Sequence, residues 1–457
     1  MSNHLSPIMS LMACTLAAEA LTGAGPAFLI GNAVDLSDED TTQRLGSDVA
    51  YNSIDNQYLA VWFDTRNPGD NDIFAQRLSA AGERLGKNIP IMEFASAQID
   101  PAVAYSSAGN QYVAVWRTQQ AGFFNQARGR MIMADGATPA GDFFVNPGGL
   151  EADIVARETA AAGILSAEFL FTGRAGTINA QQLTPTGAFG SSIPLSVQFT
   201  SAPNGGVAYN PVDDEYLATF RDQVEENLKA RLLIGGGQTI GDEIVVSDTF
   251  PASGRAAAVA HDPNNNRYLV LYGRFQEPNI DGQFVAADGT LIGANFTAIS
   301  GTPSGAVPVV EYLQAINMYI VAWRAGGAIV GQMLDADGGL VGDPLTIEDD
   351  TAASNPRMAV NSQDNEVLVV WPDNRNLAGG QQDIFAQRIG FDTPNPADIN
   401  GDGVVNGLDL GILLANWSIP PGSPGCGGAS GGCPADLNGD GLVDGLDLGI
   451  LLASWTL

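Results

Sequence analysis

Histidine is almost missing from these 457 residues: only His4 and His261 occur. A Ser–His–Asp relay or a multi-histidine zinc site would have to lean on His261 alone, because His4 lies in a stretch expected to be removed. His261 also occupies the strand slot held by Tyr51, Tyr105 and Tyr209 in neighbouring repeats, which favours a structural role. Histidine-based catalysis is therefore set aside. Basic residues are scarce too, 20 lysines and arginines against 51 acidic residues, for a formal net charge of −31. That field repels a polyanionic backbone, so no nucleic-acid partner is expected. No apolar run outside the first residues approaches the ~20 needed to cross a bilayer, and no transmembrane segment is expected. Charged residues make up 16% and hydrophobic residues 45%, the balance of a globular chain.

The N-terminus reads as an export signal over residues 1–24. Residues 5–18 are mostly apolar or small, and Ala18-Glu19-Ala20 fits a small-x-small cleavage pattern. The usual basic segment is missing, since no lysine or arginine precedes Arg44, and Leu11-Met12-Ala13-Cys14 offers a weaker lipoprotein reading. A secreted bacterial protein, free or attached to the cell surface, is expected. Of the three cysteines, Cys14 falls in this leader. Cys426 and Cys433 flank a glycine-rich segment that lets them meet, and we expect a disulfide, consistent with an oxidising compartment. Two thiols without a nearby histidine do not make a zinc site.

Residues 25–391 repeat. The clearest marker is a short apolar strand ending in an aromatic, as in Tyr58-Leu59-Ala60-Val61-Trp62, Tyr112-Val113-Ala114-Val115-Trp116 and Tyr319-Ile320-Val321-Ala322-Trp323. A weaker copy is Phe169-Leu170-Phe171. The terminal aromatics recur 48 to 55 residues apart. Each run is preceded by an Asp/Asn turn and followed by a third strand such as Asp72-Ile73-Phe74-Ala75-Gln76-Arg77. A fourth strand with an interior glycine then follows, as in Leu291-Ile292-Gly293. Four strands per repeat of about 50 residues is the anatomy of a β-propeller blade. The last repeat stops after its third strand, and Phe28-Leu29-Ile30-Gly31 matches the missing fourth. The expected fold is mainly β: a seven-bladed β-propeller closed by the N-terminal strand, with six or eight blades left open by the divergent third repeat, and a small α-helical paired-loop domain at residues 392–457. Trp62-Phe63-Asp64-Thr65-Arg66 and Trp371-Pro372-Asp373-Asn374-Arg375 resemble bacterial repeats that carry Asp-Ile-Phe/Tyr-Ala-Gln-Arg in the next strand. That resemblance implies a propeller-like scaffold. Asp64, Arg66, Asp373 and Arg375 read either as pairs fixing the turn after the second strand or as a shared ligand groove; paired carboxylates could also hydrolyse glycosides. Phe123 and Phe124, in a polar loop, are candidates for an exposed contact.

The last 60 residues carry the strongest motif. Asp398-Ile399-Asn400-Gly401-Asp402-Gly403-Val404-Val405-Asn406-Gly407-Leu408-Asp409 recurs 38 residues later as Asp436-Leu437-Asn438-Gly439-Asp440-Gly441-Leu442-Val443-Asp444-Gly445-Leu446-Asp447. Oxygen ligands fall at positions 1, 3, 5, 9 and 12, with glycine at 6 for the sharp turn and a backbone carbonyl at 7. The expected ligands are Asp398, Asn400, Asp402, Val404, Asn406 and Asp409 in the first loop. In the second they are Asp436, Asn438, Asp440, Leu442, Asp444 and Asp447. Hard oxygens with room for water suit calcium, and we expect two ions. Each loop runs into a helix whose apolar stripe, Leu410, Leu413, Leu414 and Trp417 or Leu448, Leu451, Leu452 and Trp455, should bury against the other copy.

This region resembles type I dockerins, which pair two such loop–helix units. The resemblance implies a cohesin-type protein partner in an extracellular assembly, and recognition at loop positions 10 and 11 and at a pair on the helix. Those positions are Gly407, Leu408, Leu414 and Ala415, then Gly445, Leu446, Leu452 and Ala453. The family's hydroxyl and basic residues are replaced there by apolar ones, so a more apolar or different partner is expected. The leading reading is a secreted, non-catalytic modular protein: a propeller recognising a carbohydrate or protein ligand, with a calcium-dependent anchor. The competing one is a polysaccharide-degrading hydrolase or lyase acting on the propeller.

Overall fold

A computed structural model gives the architecture. It describes residues 27–391 and 395–455, apart from 38–43, 68–69, 95, 120–125, 140, 148–152, 162–163, 176, 184–188, 197–203, 223–226, 236–237, 248–256, 275, 350–352, 376–381, 401–403, 418–432, 439 and 441. The chain divides into two compact units, Pro26–Thr393 and, after it, Pro394–Leu457.

In the larger unit the described strands pair into seven four-stranded antiparallel sheets. Six run consecutively, over residues 44–92, 97–147, 153–194, 204–247, 258–300 and 309–348. The seventh combines residues 357–391 with the N-terminal strand Ala27–Asp35. Each innermost strand touches those of the sheets on either side, and the cycle closes from the seventh sheet back to the first. This is a propeller arrangement. The sheet at 153–194 is described chiefly by its strand pairing, and Phe169-Leu170-Phe171 lies in its second strand, Ile164–Ala175.

Second strands are apolar on both faces because each is covered by a neighbouring sheet on either side. Gln57–Asp64 and Glu215–Asp222 are buried at every residue. Trp62, Trp116 and Trp371 are fully enclosed, so the aromatic row is core and not a sugar platform. Among the described residues, the hairpins entering six of the second strands place one residue at positive φ, which Asn and Asp tolerate better than other side chains. Asn56, Asn110, Asp214, Asn266, Asn317 and Asn365 fill it, with φ between 45° and 55°. The amides of these turns also join neighbouring sheets. Asn52 Nδ2 donates to Asn110 Oδ1 at 3.0 Å, Asn210 to Asn266 at 2.9 Å and Asn361 to Asn56 at 3.0 Å.

The glutamine of the third strand and the glycine of the fourth form one device. Pairing register slips where Gly86, Gly293 and Gly342 take positive φ, leaving carbonyls that no strand amide faces. Gln76, Gln283 and Gln332 each donate to carbonyls of that bulge. At the closure the N-terminal strand supplies the bulge: Gln387 Nε2 donates to the Ile30 carbonyl at 3.0 Å, and Gly31 has φ 68°. Ala27 to Ile30 pair antiparallel with Phe391 to Arg388. The first segment therefore completes the last sheet and covers its outer edge.

The smaller unit holds two helices of identical sequence, α1 (Gly407–Ala415) and α2 (Gly445–Ala453). Its core is Ala397, Val405 and Leu413 with their counterparts Ala435, Val443 and Leu451. The expected apolar stripe is only half buried. Leu413 and Leu451 are enclosed and Leu410 and Leu448 partly so, whereas Leu414, Trp417, Leu452 and Trp455 are exposed. Successive helix positions are 100° apart, so Leu413 and Leu414 cannot both face a partner as small as one nine-residue helix.

Candidate functional site

In the larger unit the Asp–Arg motifs prove to be closed ion pairs. Asp64 ends its strand fully buried, accepting from the Arg66 backbone at 2.7 Å and from Arg66 Nη2 at 2.6 Å. Arg66 stacks 3.7 Å over the Phe74 ring. Asp373 repeats this with Arg375, at 2.8 Å from its backbone and 2.7 Å from its guanidinium, and Trp371 Nε1 donates to it at 3.1 Å. Arg375 also pairs with Glu348 of the preceding sheet. Between the two motifs lies Arg44, fully buried, which donates to Asp64 at 3.1 Å and to Asp383 across the closure. Burial pushes the Asp64 carboxyl up, but the hydrogen bonds and charge of Arg66, with the charge of Arg44, hold it below the usual carboxylate range. Burial of Asp72 outweighs its hydrogen bonds from Asn67 and the Phe94 amide, leaving it raised. Asp64 and Asp373 are thus neutralised and enclosed, in keeping with turn-fixing. Arg44 and Glu348 had no motif to signal them; only the fold brings them to these carboxylates.

His261 packs against Tyr268 with ring centroids 5.1 Å apart, as Tyr51, Tyr105, Tyr209 and Tyr312 do with their own partners. Its Nε2 lies 3.4 Å from Asn266 Oδ1, where the tyrosines donate to the equivalent turn residue. Burial lowers its pKa against the Asn266 hydrogen bond. It is a structural ring. The innermost strands enclose a cavity of about 460 Å³ lined by valines and alanines together with Asp48, Glu311 and Arg357. Phe123 and Phe124 lie outside the described residues.

The smaller unit is built around two buried aspartates. Asp409 Oδ1 accepts from the Asn400 amide at 3.1 Å and its Oδ2 from the Asn406 amide at 2.8 Å. Asp447 accepts from Leu437 and Asn438 at 2.8 and 3.1 Å through one oxygen and from Asp444 at 2.8 Å through the other. Each is fully buried and ties the start of its loop to the start of its helix. Asn406 and Asp444 cap those helices, accepting from Leu408 and Leu446 at 2.7 Å. Asp440 accepts from the Leu442 amide and from Asn438 Nδ2, both at 2.9 Å.

The side chains of the second set, Asp436, Asn438, Asp440, Asp444 and Asp447, and the carbonyl of Leu442 are all hard oxygen donors, the set a calcium ion takes. Among the described residues no three His, Cys, Asp or Glu side chains converge on a metal position. In the first set Asp398, Asn400, Val404, Asn406 and Asp409 are described, and Asp402 lies outside the described residues. Cys433 is disulfide-bonded; Cys426, its expected partner, also lies outside them.

All eight positions named for partner contact, Gly407, Leu408, Leu414 and Ala415 with Gly445, Leu446, Leu452 and Ala453, are exposed. Two that the motif did not mark, Gly411 and Gly449, share their helix faces. The available signal was the identity of both helices at a residue type that helices disfavour.

Residues 396–453 match the family model described as Dockerin type I domain. No curated protein matches the chain in sequence. The larger unit is similar in structure to the BP39L lectin from Burkholderia pseudomallei, with a TM-score of 0.53 and 14% identity over 79% of this chain and 99% of that one. It is also similar to Kuenenia stuttgartiensis hydrazine synthase, with a TM-score of 0.50 and 9% identity over 70% and 91%. The chain therefore carries a dockerin type I domain, of a calcium-binding family whose partners are of the cohesin type, after a β-propeller-like region. Among the described residues no helix is long and apolar enough to cross a membrane.

Proposed function

We propose that this chain is a secreted binding protein whose C-terminal unit docks onto a surface protein under calcium control while a seven-bladed ring presents a ligand-binding face. The observation that carries the reading is the duplicated loop, in which a buried aspartate, Asp409 or Asp447, ties the loop to the first turn of its helix. Two ions are assigned, one to each loop. Asp398, Asn400, Asp402, Asn406, Asp409 and the Val404 carbonyl would hold the first. Asp436, Asn438, Asp440, Asp444, Asp447 and the Leu442 carbonyl would hold the second. Bound calcium supplies the positive charge that lets these carboxylates sit together. The chain's own residues do the rest: they cap the helices and fix where the docking side chains stand.

For the ring, the likeness to a lectin supports carbohydrate recognition, and the neutralised state of Asp64 and Asp373 supports binding over hydrolysis. Calorimetry of the full chain tests the anchor. Two equivalents of calcium should be taken up, and the paired change Asp436→Ala with Asp440→Ala should remove one. Absence of heat at millimolar calcium would refute the assignment.

A further inference from the structure

Each helix of the smaller unit is inverted relative to an ordinary surface helix. Its one charged residue, Asp409 or Asp447, is fully buried, while the face toward solvent carries Gly407, Leu408, Gly411, Leu414 and Ala415 or their repeats. Leu408 and Leu446 are 64% and 63% exposed, and Leu414 and Leu452 51% and 52%. Monomeric proteins rarely leave such apolar faces uncovered. The glycines sharpen the point. A Cβ built on Gly411 or Gly449 meets nothing within 4 Å, so nothing inside the unit requires glycine there. Glycine inside a helix is nonetheless destabilising relative to alanine. What it offers is a backbone that another surface can approach closely.

The charge around these faces is of one sign. Residues 392–457 contain eight aspartates and no lysine, arginine or histidine. Even two calcium ions, with four positive charges, leave the unit acidic. A second copy of the chain would bring its own net charge of −31 against this one, which disfavours self-association. We infer that the Gly-Leu-Gly-Leu-Ala faces of α1 and α2 dock a partner protein whose apolar ridge fits against Gly411 or Gly449 and whose rim is lysine- or arginine-rich. This deepens the anchor reading above and rests on it.

The test uses the full chain in calcium and two amphipathic helical peptides as probes, both with a leucine face, one flanked by lysine and one by glutamate. The lysine-flanked peptide should bind at least about tenfold more tightly. Leu414→Ser with Leu452→Ser, a change neutral in charge, should weaken it by about tenfold or more, which separates the face from general attraction to an acidic chain. Gly411→Ala with Gly449→Ala should weaken it similarly while the unit's melting temperature holds or rises. Equal binding of both peptides, or indifference to either pair of changes, overturns the proposal, as does calcium-dependent dimerisation of the chain by sedimentation. Calcium calorimetry on the same samples separates the two levels. Absent uptake refutes the anchor, whereas normal uptake without peptide discrimination refutes only the docking face.

Discussion

At the scale of single residues the energetics concentrate on buried charges with named partners. Arg44 is enclosed between Asp64 and Asp383, so removing it takes a buried cation from both carboxylates. Breaking a buried pair from one side costs about 3–5 kcal/mol, and Arg44→Met should fall at the lower end because Arg66 still holds Asp64. Urea unfolding measures this, and Arg44→Met combined with Asp383→Leu should recover part of the loss. The pH dependence has a defined sign. The folded pKa of Asp64 is depressed, so its contribution is present above the ordinary carboxylate range and lost as pH falls through the lowered value. The gap between the parent and Arg44→Met should therefore be widest near about pH 7 and close toward about pH 3. His261 titrates with the same sign higher up, because burial lowers its folded pKa. His261→Tyr puts back the ring that donates to the turn residue elsewhere. Its thermal stability should match the parent near about pH 7.5 and exceed it increasingly toward about pH 5. A parallel pair of curves would show that His261 does not titrate in this range.

At the scale of elements, the paired glutamine and bulge glycine explain a pattern that the sequence displays without explaining. The third-strand glutamine and the fourth-strand glycine recur at a fixed interval, which marks the blade; that one bonds the carbonyls exposed by the other appears only once register is known. The same device holds the N-terminal strand through Gln387, where no hairpin ties it to the strand it joins. Gln387→Leu should cost about 1–2 kcal/mol and speed amide exchange selectively across Ala27–Asp35. Gln283→Leu, at a bulge joined by a hairpin, should cost a similar amount without local opening. Equal exchange in both variants would show that the closure is not a weak point. Strand order and closure were legible because they follow from period and turn chemistry. Arg44, Glu348 and the exposure of Leu414 were not, because they depend on which elements meet and how large the meeting surface is. Alternation of apolar residues fixes that a helix has a buried side; only the size of its neighbour decides how wide that side is.

At the scale of the whole molecule, two units of different physical origin share one chain. The larger gains stability from apolar second strands buried on both faces, which needs no ion. The smaller encloses six core side chains and concentrates aspartates in its loops, too little apolar burial to offset that repulsion unaided. Calcium that binds the folded loops and not the unfolded ones stabilises that unit by mass action, by about 2.7 kcal/mol at a hundredfold excess over the dissociation constant. Scanning calorimetry should therefore resolve two transitions. Chelator should shift the one belonging to residues 394–457 down while leaving the ring's melting temperature in place. Helical circular dichroism, which α1 and α2 supply among the described residues, should follow the movable transition. Reduction of the Cys433 disulfide should lower that same transition further, since a cross-link acts by limiting the unfolded chain. A single transition insensitive to chelator would mean that the loops fold without their ion, and the control of docking by calcium would then have no structural basis.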